Sequence, residues 1–123
     1  MIAIIDYDAG NLRSVEKALL SLGETPVITR DRKTILKADK VILPGVGSFG
    51  DAMGKLKQYD LVDVICETVD QGTPFLGICL GLQLLFAGSE ESHGAAGLGI
   101  LPGKILKIPV SYTHLTLPTI YSV

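Results

Sequence analysis

The stretch Thr73-Pro-Phe-Leu-Gly-Ile-Cys-Leu-Gly-Leu-Gln-Leu-Leu85 constrains the fold of this chain more than any other. It predicts a buried strand over 75–78 that turns sharply into a helix over 80–86. Cys79 sits at the turn, with Gly77 and Gly81 two residues to either side. The pattern G-x-C-x-G has the form of a nucleophile elbow with cysteine in place of serine. Such a turn is tight and its central residue is strained. The flanking positions therefore need residues without a Cβ that would collide with the adjoining strand and helix. The thiol then projects from the carboxyl end of the strand, and the first amides of the helix point into the same space.

The rest of the chain alternates short apolar runs with amphipathic segments. Residues 2–5, 26–29 and 40–43 read as further strands. A helix is expected over 12–22, with Leu12, Val15, Leu19 and Leu22 on one face and Gly23 as its stop. One helical turn is expected over 34–37, and helices over 51–57 and 61–71. Strands alternating with helices imply crossover connections, so the predicted fold class is α/β: a doubly wound, mostly parallel sheet. Residues 98–101 and 104–108, joined through Pro102-Gly103, read as an antiparallel hairpin on its flank. The 123 residues suffice for one domain, and no internal repeat is visible.

Composition excludes several function classes. No apolar run reaches the roughly 18 residues a membrane span needs, and no basic leader precedes the first strand pattern. A net charge of −2 with dispersed signs argues against a nucleic-acid surface. Two cysteines, Cys66 and Cys79, suit a reducing cytosol, and their spacing matches neither a redox pair nor a zinc set. Cys66 is expected to be a small core hydrophobe. No metal is expected.

Cys79 is the candidate nucleophile. A thiol at a helix amino terminus has its thiolate favoured by the free amides and the helix dipole. Attack on a carbonyl would put an oxyanion near the Leu80 amide, which is what acyl transfer needs. The plainer alternative is a structural cysteine, against which the two glycines, the strand and the helix all weigh. Gln83 follows one helical turn later on the same side, either to contact substrate or to cap a neighbouring backbone group. Pro44-Gly-Val-Gly-Ser-Phe-Gly50 contains G-x-G-x-x-G, but it follows the third strand rather than the first. The position where a ribose-binding acid would stand is Asp70, inside a predicted helix. No dinucleotide or other cofactor is therefore expected. The loop reads better as backbone amides offered near Cys79, for substrate or as a second oxyanion donor. Asp6, Asp8 and Asn11 cluster in the first loop at the same edge, and Asn11 is placed to cap the helix after it. His93 falls in a solvated loop beyond the Cys79 helix, and His114 near the carboxyl end; neither is favoured as a base.

The last segment, residues 110–123, breaks the style of the rest. It has no charged residue, and five of its fourteen residues are Ser or Thr. Val110-Ser-Tyr-Thr-His-Leu-Thr-Leu-Pro-Thr119 is also what one reading frame of a common transposon-derived sequencing adapter encodes. The segment is expected to be a non-native tail, with residues 1–109 the amino-terminal part of a natural domain; a genuine β-strand is the alternative.

Pro44-Gly-Val-Gly-Ser-Phe-Gly50 together with Gly77-Ile-Cys-Leu-Gly-Leu-Gln83 resembles a class I glutamine amidotransferase domain. The opening Ile4-Ile-Asp-Tyr-Asp-Ala-Gly-Asn-Leu-Arg-Ser-Val15 narrows the likeness to the glutaminase subunits of imidazole glycerol phosphate synthase, an enzyme of histidine biosynthesis. The resemblance covers 1–109, about the amino-terminal half of that family's usual length. It implies that Cys79 forms a glutamyl thioester, with Leu80 and the Gly45–Val46 peptide as the oxyanion hole. It implies that Gln83 and the Gly47 backbone contact L-glutamine. The loop carrying Tyr7 and Asn11 would face the partner, a (β/α)₈-barrel cyclase that receives the ammonia in a cytoplasmic heterodimer. One departure is Asp8, where Gly is as common. The larger one is that the family's His-x-Glu segment has no counterpart here, so the chain is expected to be inactive alone. Other class I amidotransferases, or a non-catalytic or redox-sensing domain of related fold, are the alternatives.

Overall fold

The computed structural model describes residues 1–90 and 94–108. His93 and the tail at 110–123 lie outside the described residues.

Four strands form one parallel sheet: β1 (Ile2–Ile5), β2 (Pro26–Thr29), β3 (Lys40–Leu43) and β4 (Phe75–Gly77). Their order is β2-β1-β3-β4, and the register aligns Ile4 with Ile28 and Ile42, and Ile42 with Leu76. The helices between them are α1 (Leu12–Ser21), α2 (Arg32–Lys37), α3 (Phe49–Gln58) and α4 (Val62–Asp70); α5 (Leu80–Leu84) follows β4. The expected doubly wound, parallel α/β architecture is the one observed. All four residues of β1 are buried, as a parallel strand flanked by helices requires.

The core lies on one face of the sheet. Ala3, Ile5, Val41 and Leu43 meet Ile35 of α2, Phe49, Met53 and Leu56 of α3, Val64 and Ile65 of α4, and Leu80 and Leu84 of α5. Each fully buried side chain of this size, such as Phe49 or Leu56, contributes about 1.5–3 kcal/mol. The opposite face is thinner. Helix α1 contains no buried residue; Leu12, Val15 and Leu19 are half-buried, and Leu22, at the C-cap, is 74 % exposed. Cys66 on α4 is likewise half-buried, and burial, followed by Asp70 and Asp63, pushes its thiol pKa up.

The flanking hairpin is corrected. β6 (Lys104–Ile105) pairs in parallel with β5 (Gly88–Ser89), and 98–101 forms no strand. Instead the amides of Leu98, Leu101 and Gly99 donate to the carbonyls of Leu84 (2.8 Å), Leu85 (2.9 Å) and Phe86 (3.3 Å). The last carbonyls of a helix have no partner within it. This segment supplies partners for α5, and that use of its backbone excludes a hairpin ladder.

The topology sets the position of the site. The chain leaves β1 for β2 on one side and returns to β3 on the other, so the loops after β1 and β3 diverge. The crevice at such a switch point, outside the carboxyl ends of the strands, is where open α/β sheets bind ligands. β4 brings Cys79 next to it.

Candidate active site

Cys79 lies between β4 and α5 with φ 53° and ψ −118°, a backbone state that costs a non-glycine residue about 1–3 kcal/mol. It is exposed. The glycines beside it are required by space. A Cβ on Gly81 would lie 1.8 Å from the Leu43 carbonyl oxygen of β3. One on Gly77 would lie 2.7 Å from Leu82 Cα. The elbow is thus wedged against β3 and α5, and the Ile78 amide, donating to Leu43 at 3.0 Å, ties it to the sheet.

The first helix amides are not open, contrary to the expectation from sequence. Leu80 N–H donates to the Gly45 carbonyl at 3.2 Å, and Gly81 N–H to Ile78 at 2.9 Å. A helix-terminal amide takes the nearest acceptor, and here that acceptor belongs to the loop after β3. The arrangement fixes the other half of the same peptide. In a trans peptide the N–H points opposite to the C=O, so Val46 N–H is directed away from Leu80. That amide has no hydrogen-bond partner among the described residues.

The loop itself changes character along its length. Pro44 and Gly45 are buried, whereas Val46 is 50 % exposed. Gly47 follows with φ 104° and nothing near its missing Cβ. Ser48 then starts α3 by accepting from Asp51 N–H at 3.3 Å. Gln83 is half-buried on α5, its amide donating to the Cys79 carbonyl at 3.3 Å; its side chain makes no hydrogen bond among the described residues.

Of the two first-loop residues expected to face a partner, Asn11 is exposed but the Tyr7 ring is only 2 % exposed. Tyr7 is turned into the molecule, and its buried hydroxyl donates to the Pro44 carbonyl. Burial pushes its phenol pKa far above the usual value, so it remains a donor. Asn11 stands at the N-cap of α1 with φ 67° and makes no side-chain cap bond, so the expected side-chain capping is not realised.

Sequence reasoning missed a charged network around Asp8, whose residues are scattered along the chain. Arg30 pairs with Asp6 at 3.1 Å and Asp8 at 3.2 Å, and lies 3.9 Å over the Tyr59 ring. The Tyr59 hydroxyl donates to Asp8, and Lys55 reaches the same carboxylate at 3.4 Å. The Tyr59 bond foremost, then Arg30 and Lys55, hold the Asp8 carboxyl below the usual range. Asp8 has φ 67°, a conformation glycine adopts freely.

A cavity of about 640 Å³ opens beside Cys79, lined by Val69, Phe75, Leu76, Leu82 and Ile100 among others. This apolar wall offers no charge partners for a zwitterionic amino acid, and Leu76 is 55 % exposed. It has the character of uncovered core. Both histidines lie outside the described residues, so the geometry assigns Cys79 no imidazole. Among the described residues no group of three His, Cys, Asp or Glu could hold a metal, and no helix is long and apolar enough to cross a membrane.

A family model, Glutamine amidotransferase class-I, matches residues 3–112. An imidazole glycerol phosphate synthase subunit HisH of Bacillus cereus is 58 % identical over 112 residues, covering 91 % of this chain and 54 % of the relative. The subunit of the same name from Synechococcus elongatus is 54 % identical over 104 residues, covering 85 % and 48 %. The chain thus spans about half the length of these relatives. A crystal structure of a glutamine amidotransferase superposes with a TM-score of 0.73 at 20 % identity, over 86 % of this chain and 56 % of that one. A Listeria monocytogenes protein described as a putative peptidase E gives 0.64 at 15 % identity, over 81 % and 62 %. At these identities the two superpositions speak for the fold alone.

Proposed function

The chain belongs to the class I glutamine amidotransferase family, and from that premise we propose that its parent protein hydrolyses glutamine at Cys79. The ammonia then passes to a (β/α)₈-barrel cyclase subunit that makes imidazole glycerol phosphate, in the cytoplasm. The relatives named as HisH subunits of imidazole glycerol phosphate synthase support this reaction and a further subunit of that synthase as partner. The observation that carries the chemistry is the exposed Cys79 at φ 53°, wedged beside the Gly45 peptide.

The Cys79 thiolate attacks the side-chain amide carbon of glutamine and pushes the carbonyl electrons onto oxygen. Collapse of that oxyanion breaks the C–N bond; the departing nitrogen takes up a proton and leaves as ammonia, and a glutamyl thioester remains. Water then adds to the thioester, and glutamate and the thiolate are released. The oxyanion needs donors at the moment it forms. Leu80 N–H is engaged by the Gly45 carbonyl in this structure, and Val46 N–H points away. Rotation of the Gly45–Val46 peptide would release the first and turn in the second. On this reading the observed form is a resting one. Gln83, with an uncommitted side chain, and the Gly47 backbone are the residues assigned to the bound glutamine.

The proton for ammonia and the base for water come, in this reading, from a His and a Glu in sequence beyond this chain, so the chain alone is inactive. The same missing part would cover the apolar cavity beside β4. Residues 110–123 are a non-native tail on this reading, which a genomic amplicon across the junction tests: native coding sequence continuing through Val123 refutes it. For the activity, the uninterrupted protein is assayed for glutaminase together with its cyclase. Cys79→Ser should lower turnover by at least about 10³-fold. Unchanged turnover removes Cys79 from the role.

A further inference from the structure

The Pro44–Gly47 segment is hydrogen-bonded at one end and, among the described residues, not at the other, and the boundary falls at Gly45. The Pro44 carbonyl accepts from the buried Tyr7 hydroxyl. That hydroxyl oxygen occupies the space beside Gly45 so fully that a Cβ there would lie 2.2 Å from it. The next peptide is held by a single bond, Leu80 N–H to the Gly45 carbonyl at 3.2 Å. Beyond it come the half-exposed Val46 and Gly47 at φ 104° in open space. Tyr7 is itself secured on both sides in sequence. Asp6 and Asp8 are paired with Arg30 at 3.1 and 3.2 Å, and Asp8 also with Tyr59. Exposed pairs of this kind contribute little stability singly, but together they fix the path of the chain on either side of the ring.

We propose that Tyr7 is a positioning residue for the oxyanion site: its hydroxyl anchors the Pro44–Gly45 peptide, so that only the Gly45–Val46 peptide turns and its amide swings into register with Leu80 and Cys79. Two peptides that could rotate together become one fixed and one rotating unit. The role rests on the glutaminase reading of Cys79. It assigns to Tyr7 an inward function in place of the outward contact expected from sequence.

Tyr7→Phe tests this, because it keeps the packed ring and deletes only the donor. In the full-length protein with its cyclase, kcat for glutamine hydrolysis should fall about tenfold or more, with KM for glutamine within about twofold. Hydrogen exchange at the Leu80 amide, read without substrate, should speed up by a similar factor, because the Gly45 carbonyl that protects it is no longer held in place. Gly45→Ala is the positive control for Leu80 exchange: its Cβ would meet the Tyr7 hydroxyl but also Gly81 N at 3.0 Å and Leu80 Cβ at 3.2 Å, so it should speed that exchange whatever Tyr7 does. Unchanged Leu80 exchange in Tyr7→Phe overturns the proposal, as does a rise in KM with kcat unchanged. If the parent protein shows no glutaminase activity while Leu80 exchange responds as stated, the glutaminase reading fails and the anchoring of Pro44 by Tyr7 stands.

Discussion

The elbow around Cys79 and the loop after β3, at Gly47, both depend on glycine, for opposite reasons. At the elbow, Gly77 and Gly81 are glycine because there is no room: the missing Cβ atoms would lie 2.7 Å from Leu82 and 1.8 Å from Leu43. In the loop, Gly47 is glycine because of its backbone, φ 104°, with nothing within 4 Å of its missing Cβ. The first kind of glycine makes a joint that cannot move without breaking the sheet. The second makes one that can turn. On the reading proposed above, the nucleophile is served by the rigid joint and an oxyanion donor that must change state by the other.

Substitutions can break or sharpen that contrast. Gly81→Ala should have the largest effect, about 3 kcal/mol or more, since its Cβ meets backbone that cannot yield. Urea denaturation of the full-length protein reads it as a lowered midpoint. Gly47→Ala meets no atom and should lose only the backbone term, about 1–2 kcal/mol by the same measurement. Equal losses for the two would mean that the loop is as tightly packed as the elbow, and the contrast would fail. Ser48→Ala removes the α3 cap at the end of the loop and should cost about 1 kcal/mol, with Leu80 hydrogen exchange unchanged. A change at Leu80 would extend the mobile unit past Gly47 to Ser48.

Much of the fold was legible. The runs Ile2–Ile5, Pro26–Thr29 and Lys40–Leu43 were read with the bounds the structure shows. Only β1 is buried throughout and appears as an unbroken apolar run, whereas β2, at the sheet edge, is half-buried and β3 starts on the exposed Lys40. Helix starts were less clear. α2 begins at Arg32, two residues before the sequence reading, because Asp31 caps it through Thr34 N–H at 3.0 Å. α3 begins at Phe49 because Ser48 caps it. Both caps are visible in the sequence as an Asp or Ser three residues before the bonded amide, and could have been used. The segment 98–101 was misread because apolar residues after a glycine-rich loop suit a strand as well as a helix-capping segment. Only the position of α5 distinguishes them.

The sequence by itself determined the α/β class, the elbow, and the need for glycine beside Cys79. These follow from local rules of spacing, periodicity and backbone space. The state of the site was decided only by the tertiary structure. The Tyr7 hydroxyl reaches Pro44 across 37 residues, and the Leu80 amide is held by Gly45. Contacts between distant segments leave no periodic trace in either one. They arise when the sheet brings the carboxyl ends of β1, β3 and β4 together, and there the Tyr7 hydroxyl and the Leu80 amide both find acceptors in the loop after β3.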